Sequence, residues 1–328
     1  MACRSADFAA NLDHGRSGQN QPRHTLKSSN TALAIVPAPI KAQRCGLAIC
    51  IALFAVFCTV IPFARVALPR VEAFIPIYDS TLALNNFVTA GLLLVGFSRS
   101  RLHAVLVLAS GYLFTSLMAL PHMAAFPGLF SSNGLLGAGP QTSAWLNVFR
   151  QGVFPLVVVS YAVLKSHQTK TVQPAAATSA DVVPAAAAVL ACVCLLTLLA
   201  TSGHYLLPRI VDGDRYTSAM MAVSVLLCAS SLVALAILGL RPPYSIIDLW
   251  LMVVLCAWVL GMVLSMVINN GRFDLGSYAG RIYGLFAASV VPIVFLVEAG
   301  RLWGRLDEAR AIADQRNAEL VASREQLA

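Results

Sequence analysis

The chain carries few polar side chains inside its apolar stretches, and those few are of types that bind ions, hydrogen-bond a ligand or relay a proton. Asp79, Thr81, Asn85, Asn86 and Thr89 fall in one apolar stretch, and His122 closes the next. Arg150 and Gln151 open a third, ahead of Pro155, while His204 and Tyr205 close a fourth. Arg272, Asp274, Tyr278 and Arg281 flank the start of the last stretch. A polar group in hydrocarbon is costly, so each is a functional candidate, with helix-to-helix hydrogen bonding as the structural alternative. Arg150, read as lying about one helical turn into its segment, gains more from a partner such as Asp79, Asp274 or the carbonyls around Pro140 than from snorkelling into lipid. A structural role and a ligand-facing role both stay open for it.

His122 and His204 could form a metal or proton site. No E-x-x-H or H-x-x-x-H spacing supports a metal, and imidazoles bonded to loop backbone are the favoured reading. Asp248 and Glu298 are expected to pair with Arg241 and Arg301 as solvated charges at helix ends. The candidate ligand-binding set is therefore Asp79, Asn86, His122, Trp145, Arg150, Gln151 and His204, with no catalytic residue, metal or cofactor assigned. The chain has no phosphate-binding Walker loop, H-E-x-x-H, G-x-S-x-G or dinucleotide fingerprint.

The elements that must hold these residues are membrane spans. With 58% hydrophobic and 12% charged residues, the chain falls outside the soluble globular class. Its net charge of +8 sits in tails and short loops, where topology and anionic headgroups account for it, so membrane lipid is an expected partner and nucleic acid is not. Six of the eight cysteines lie inside apolar segments, which implies no disulfide framework. Eight segments reach the length of roughly twenty residues needed to cross a bilayer. They centre on 45–66, 77–97, 102–120, 146–164, 182–200, 219–240, 246–268 and 278–297.

An even number of spans puts both termini on one side. If that side is cytoplasmic, it holds 16 of the 23 Lys and Arg against 6 outside, with Arg150 in the membrane. The two tails carry most of this bias. The expected fold is all-α: a polytopic bundle of about eight transmembrane helices in a bacterial inner membrane, ending in a cytoplasmic coiled-coil helix. Residues 1–44 read as a disordered cytoplasmic tail and 45–299 as the integral-membrane domain, which includes a Pro/Ala-rich cytoplasmic linker at 166–188.

From 300 to 328 the chain turns charged and helical. Leu302, Leu306, Ala309, Ala313, Arg316, Leu320, Ser323 and Leu327 follow a 4-3 spacing, the seam of a two-stranded coiled coil, weakened by Arg316 and Ser323. The partner implied is a second copy of the chain, and the absence of a helix stop before Ala328 is read as a cut before an output domain.

The stretch from Pro121 to Pro155 is too apolar for a solvated loop and too rich in Gly, Pro and Ser for one continuous helix. Its uncharged outer part is expected to fold back as a lid, anchored by Phe126, Phe130 and Trp145, over a pocket bounded by Asp79, His122 and Arg150. An unknown small-molecule or membrane-derived ligand would occupy that pocket.

The motifs of this region resemble those of the fourth of the bacterial membrane-associated sensor families, the MASE group. They are FVTA at Phe87–Ala90, GYLF at Gly111–Phe114, His122, FPG at Phe126–Gly128, LLGAGPQT at Leu135–Thr142, Trp145, FPL at Phe154–Leu156 and Tyr161-Ala162. The run RFDLGSYAGRIYG from Arg272 to Gly284 is similar to the family's closing motif. Where the family pattern has Trp-His before FPL, this chain has Arg150-Gln151. The resemblance implies a sensory input module fused to a cytoplasmic output, a histidine kinase first and a diguanylate cyclase second. Neither output's motifs occur in the chain. A small-solute transporter or channel is the alternative, motivated by Asn85, Asn86 and Arg150. An intramembrane enzyme using His122 and His204 ranks third.

Overall fold

The computed structural model describes residues 37–69, 71, 73–126, 140–168, 179–212, 215–269 and 273–327. Eight of its helices are long and apolar enough to cross a membrane, one for each segment expected from the sequence. They are α1 (Ile40–Val60), α2 (Phe74–Ser100), α3 (His103–Ala124), α4 (Pro140–Gln168), α5 (Val182–Thr201), α6 (Ser218–Gly239), α7 (Ile246–Met262) and α8 (Leu275–Leu327). A helix of twenty residues rises about 30 Å, the thickness of the hydrocarbon core. Between α5 and α6 the all-α plan is interrupted by a small antiparallel hairpin, β1 (Val211–Asp212) with β2 (Arg215–Tyr216).

Local chemistry sets several of the boundaries. α2 stops where Arg101 takes a left-handed φ of 54° and donates its N–H to the Phe97 carbonyl at 2.7 Å; extended Leu102 then starts α3 after a two-residue turn. At the start of α7, Ser245 and Asp248 form a capping box. The Ser245 hydroxyl accepts from the Asp248 N–H (3.2 Å), and the Asp248 carboxylate accepts from the Ser245 N–H (2.9 Å). Thr217 caps α6 by accepting from the Met220 N–H.

α3 is the central helix. Of its most apolar window 67% is buried, against 11% for α1 and for α5, which line the periphery. The outward faces of those two helices, with Leu47, Ile51 and Phe54 on α1 and Leu190, Leu195 and Leu198 on α5, are large, apolar and exposed, as lipid contact requires. Inside, Leu93, Leu108, Val158, Leu251 and Leu255 are fully or almost fully buried and belong to one continuous core.

Two features position α8. The α1–α2 connection pairs with the chain leading into α8: the Leu275 N–H donates to Val66 O (2.9 Å), the Gly276 N–H to Ala64 O (2.8 Å), and Arg65 Nε to Ile268 O (2.9 Å). The α7 and α8 backbones also meet directly. A Cβ on Gly280 would stand 2.4 Å from Gly261 O, so only hydrogen fits there. Beside this crossing α7 widens into a π turn at Val263–Ile268, where the Ser265 hydroxyl donates to Gly261 O at 2.8 Å.

Candidate functional site

The polar residues of α2, α3 and α4 converge at the end of the bundle that carries the α1–α2, α3–α4, α5–α6 and α7–α8 connections. Asp79, the sixth residue of α2, is 1% exposed, and His122 lies two residues before the end of α3, also buried. His122 Nδ1 is 2.8 Å from Asp79 Oδ2. On the other carboxylate oxygen, Asp79 Oδ1 is 3.9 Å from Arg150 Nη1, an ion pair too long to be a hydrogen bond. Arg150 Nη2 donates to Asn147 Oδ1 at 2.7 Å, one turn back on α4, and the guanidinium lies over the Tyr78 ring at 5.8 Å.

Arg150 lies further along its helix than its sequence position suggests. It is 2% exposed and eleventh in a helix that begins at Pro140, so about 15 Å of helix precede it rather than a single turn. The earlier start follows from what the polar residues of PQTSAW bond to. Gln141 Nε2 donates to Val211 O (3.3 Å) while its Oε1 accepts from the Ile210 N–H (3.2 Å). The Thr142 hydroxyl donates to Ala200 O (2.9 Å), and Trp145 Nε1 to Pro208 O (3.1 Å). The α5–α6 connection thus satisfies polar groups that hydropathy alone assigns to a loop.

Arg150 and its neighbours face a cavity of about 50 Å³, room for three or four waters. His122, Arg150 and Gln151 form one wall, while Asp79 stands behind His122 and does not line the space. α7 and its π turn supply Trp258, Met262 and Ser265 to a second wall. α8 supplies the third with Ser277, Gly280 and Arg281, and Tyr216 of β2 contributes at the hairpin. Arg281 Nη1 donates to Ser277 O at 3.1 Å and also to the Ser277 hydroxyl. Several buried polar atoms at this site make no hydrogen bond to protein: Arg150 Nε and Nη1, Gln151 Oε1, Trp258 Nε1 and Asp79 Oδ1. A buried donor or acceptor without a partner is costly, and the adjoining cavity has room for the waters or ligand atoms that would satisfy these groups.

The chain matches the family described as membrane-associated sensor, integral membrane domain, over residues 69–303. It belongs to this sensor family. No curated protein and no solved structure matches it.

In the sensor domain two of the motifs that carry the resemblance, GYLF and FPL, meet in space. Tyr112 of GYLF packs edge-on against Phe154 of FPL at 5.4 Å, and Phe154 packs on Trp258 at the same separation. The closing motif forms the α8 wall of the cavity. Of the stretch Pro121–Pro155 expected to supply a lid, residues 127–139, with Phe130 and most of LLGAGPQT, lie outside the described residues.

Of the candidate set, His122, Arg150 and Gln151 line the cavity of the sensor domain and Asp79 backs it. Asn86 is buried two turns further along α2 and reaches no cavity wall. Trp145 is committed to Pro208 and to Phe149, 5.5 Å away, rather than to the cavity. His204 is exposed and bonds the Thr201 carbonyl at 2.8 Å, the loop-backbone arrangement weighed against a shared site with His122. Among the described residues, no three His, Cys, Asp or Glu side chains gather as a metal ion would require.

Asn147, Trp258, Ser265 and Ser277 enter the cavity wall without having been singled out in the sequence. The spacing Gly276, Gly280, Gly284 was the available signal, because glycines one turn apart on one face mark close helix approach.

One pairing at the opposite end of the sensor domain differs from expectation. Asp248 is buried and bonds Lys165 Nζ (2.5 Å) and the Tyr161 hydroxyl (2.8 Å), not Arg241. Arg241 instead donates to Ala162 O at 2.9 Å. A carboxylate held by the capping box points into the bundle, where α4 is the helix within reach. Glu298 does pair with Arg301, at 2.6 Å.

Proposed function

We propose that this sensor domain reads a stimulus at the cavity and transmits it through α8 to a cytoplasmic output. The observation that carries this reading is the length of α8: one helix runs unbroken from Leu275 to Leu327, 53 residues or about 80 Å. Its first turns form a cavity wall through Ser277, Gly280 and Arg281, and its far end lies well beyond the last residue of the span, Arg301. A rigid rod that touches the site at one end moves at the other when the site repacks. The Gly261–Gly280 crossing and the adjacent π turn provide the surface along which such a shift occurs.

The domain sits in a bacterial inner membrane with both termini cytoplasmic, and the output is a histidine kinase, with a diguanylate cyclase the second choice. Two copies pair through Leu302, Leu306, Ala309, Ala313, Leu320 and Leu327. The stretch from Asp307 to Asn317 is exposed, including Ile312 at 54%, and Ala309 and Ala313 are accessible for pairing; the side chains of Leu302, Leu306, Leu320 and Leu327 lie outside the described residues. Single cysteines at Leu306 and Leu320 in otherwise cysteine-free full-length protein test this in membranes. Disulfide dimers at both positions are expected, and their absence at both sinks the reading.

A transporter needs polar groups across both halves of the bilayer. Between the buried Asn86, Thr89, Thr115 and Ser116 on the cavity side and the Asp248–Lys165 pair at the other end, α2, α3 and α7 bury Leu93, Leu108 and Leu251, an apolar layer that favours the sensor. Solute flux in proteoliposomes that Asn86→Leu abolishes would reverse this choice.

A further inference from the structure

Resting on the reading of this cavity as the stimulus site, we propose that its ligand is a small carboxylate-bearing molecule whose carboxylate is held by Arg150 and Trp258.

The charge of the site is the first argument. Arg150 and Arg281 bring two guanidiniums to one small space, and the acidic side chain against them is Asp79. Asp79 already shares its two oxygens between His122 at 2.8 Å and Arg150 at 3.9 Å. With His122 neutral, the walls carry one positive charge in excess; with His122 protonated, two. In a low-dielectric interior two guanidiniums that share one carboxylate draw a further anion strongly.

The second argument is the set of unused hydrogen-bonding atoms. Arg150 is 2% exposed, yet Nε and Nη1 make no hydrogen bond to protein. Trp258, 8% exposed, lines the same cavity and leaves its indole N–H equally unpaired. Both residues line one small space, and an anion seated between them would accept from both. Gln151 Oε1 is a buried acceptor without a partner, suited to a donor on the body of the ligand.

Size and lining select the class of anion. A cavity of about 50 Å³ suits a carboxylate with a short body better than a nucleotide or sugar phosphate. The rest of the lining mixes Met262, Met266, Gly280 and Gly284 with the polar Asn147, Ser265 and Ser277, which suits a short body that is partly alkyl. A phosphate dianion would exceed the single positive charge in excess while His122 is neutral, and its further oxygens would face Gln151 Oε1. The carboxylate has two possible sources: a free short-chain acid, or the head of a fatty acid entering from the bilayer.

The test uses the full chain in nanodiscs of zwitterionic lipid, with propionate and decanoate as probes and propionamide, phosphate and propylamine as comparisons. Calorimetry gives affinity, and Trp258 fluorescence, assigned with Trp258→Phe, locates the site. Saturable binding of a carboxylate, absent for propionamide and propylamine, is expected to weaken roughly 10- to 100-fold in Arg150→Gln. Gln151→Glu supplies Arg150 with an internal carboxylate and is expected to abolish binding while the protein stays folded. Binding of propionate assigns a soluble source, and of decanoate alone a bilayer source. Equal binding of propionamide, tighter binding of phosphate, or no carboxylate binding by folded protein overturns the proposal. Output activity of the full-length protein separates the two readings. If Arg150→Gln alters output but no carboxylate binds, the ligand class is wrong and the sensory reading stands. If a carboxylate binds and neither it nor Arg150→Gln changes output, the ligand stands and the sensory reading falls.

Discussion

His122 Nδ1 lies 2.8 Å from Asp79 Oδ2, and this one contact ties the end of α3 to the start of α2 at the cavity wall. The same carboxylate is the nearest counter-charge of Arg150 on α4, so three helices share one buried acid. Such an arrangement holds only while every member is present.

Removing the acid should therefore be worse than removing the acid and the base together. Asp79→Ala leaves Arg150 buried and uncompensated and is expected to cost about 3–5 kcal/mol. The double variant Asp79→Ala/Arg150→Met is expected to cost clearly less than the sum of the two single changes. SDS-titrated unfolding of the purified protein measures all three, and strict additivity would remove the ion pair from the account.

The α7–α8 crossing should tolerate no side chain. Gly280→Ala places a methyl 2.4 Å from Gly261 O, which forces the helices apart, and a loss of about 2 kcal/mol or more is expected. Gly91→Ala on α2, with open space around it, is expected to be neutral or slightly stabilising. Thermal melts of the two variants in one detergent give the comparison.

At the opposite end, Lys165, Tyr161 and Ser245 all bond Asp248. Lys165→Met leaves the carboxylate two of its partners, while Asp248→Ala removes the centre of the group and half of the capping box. The second change is expected to be the more damaging, with the pairing of α4 to α7 loosened. Hydrogen exchange at the start of α7 should rise in Asp248→Ala and rise less in Lys165→Met.

If α8 transmits by rotation, the phase of the helix matters more than its length. One residue inserted after the exposed Gly304 turns everything beyond it by about 100°, and seven residues nearly restore the phase. Output of the full-length protein is expected to change with the first insertion and to recover with the second. Equal output from both excludes rotation.

Trp145→Phe separates scaffold from site. It removes the hydrogen bond to Pro208 and is expected to cost about 1 kcal/mol, with carboxylate binding unchanged. A tenfold loss of affinity would bring Trp145 into the site.

Sequence alone determined the eight spans, because crossing hydrocarbon demands some twenty consecutive apolar residues and that demand is written in the order of the chain. It also marked Asp79, His122, Arg150 and Gln151, since a polar side chain within an apolar run stands out without coordinates. Tertiary structure decided which of these meet. His204 shows the same sequence signal as His122, yet it faces outward while His122 finds a carboxylate 43 residues away. Asp248 looked like an edge charge until Lys165, 83 residues earlier, proved to be its partner. The cavity itself depends on Trp258, Ser265 and Ser277 reaching one space across the π turn and the glycine crossing. Hydropathy reports how deep a residue lies along the bilayer normal but carries no information about which way it faces or which helix lies beside it.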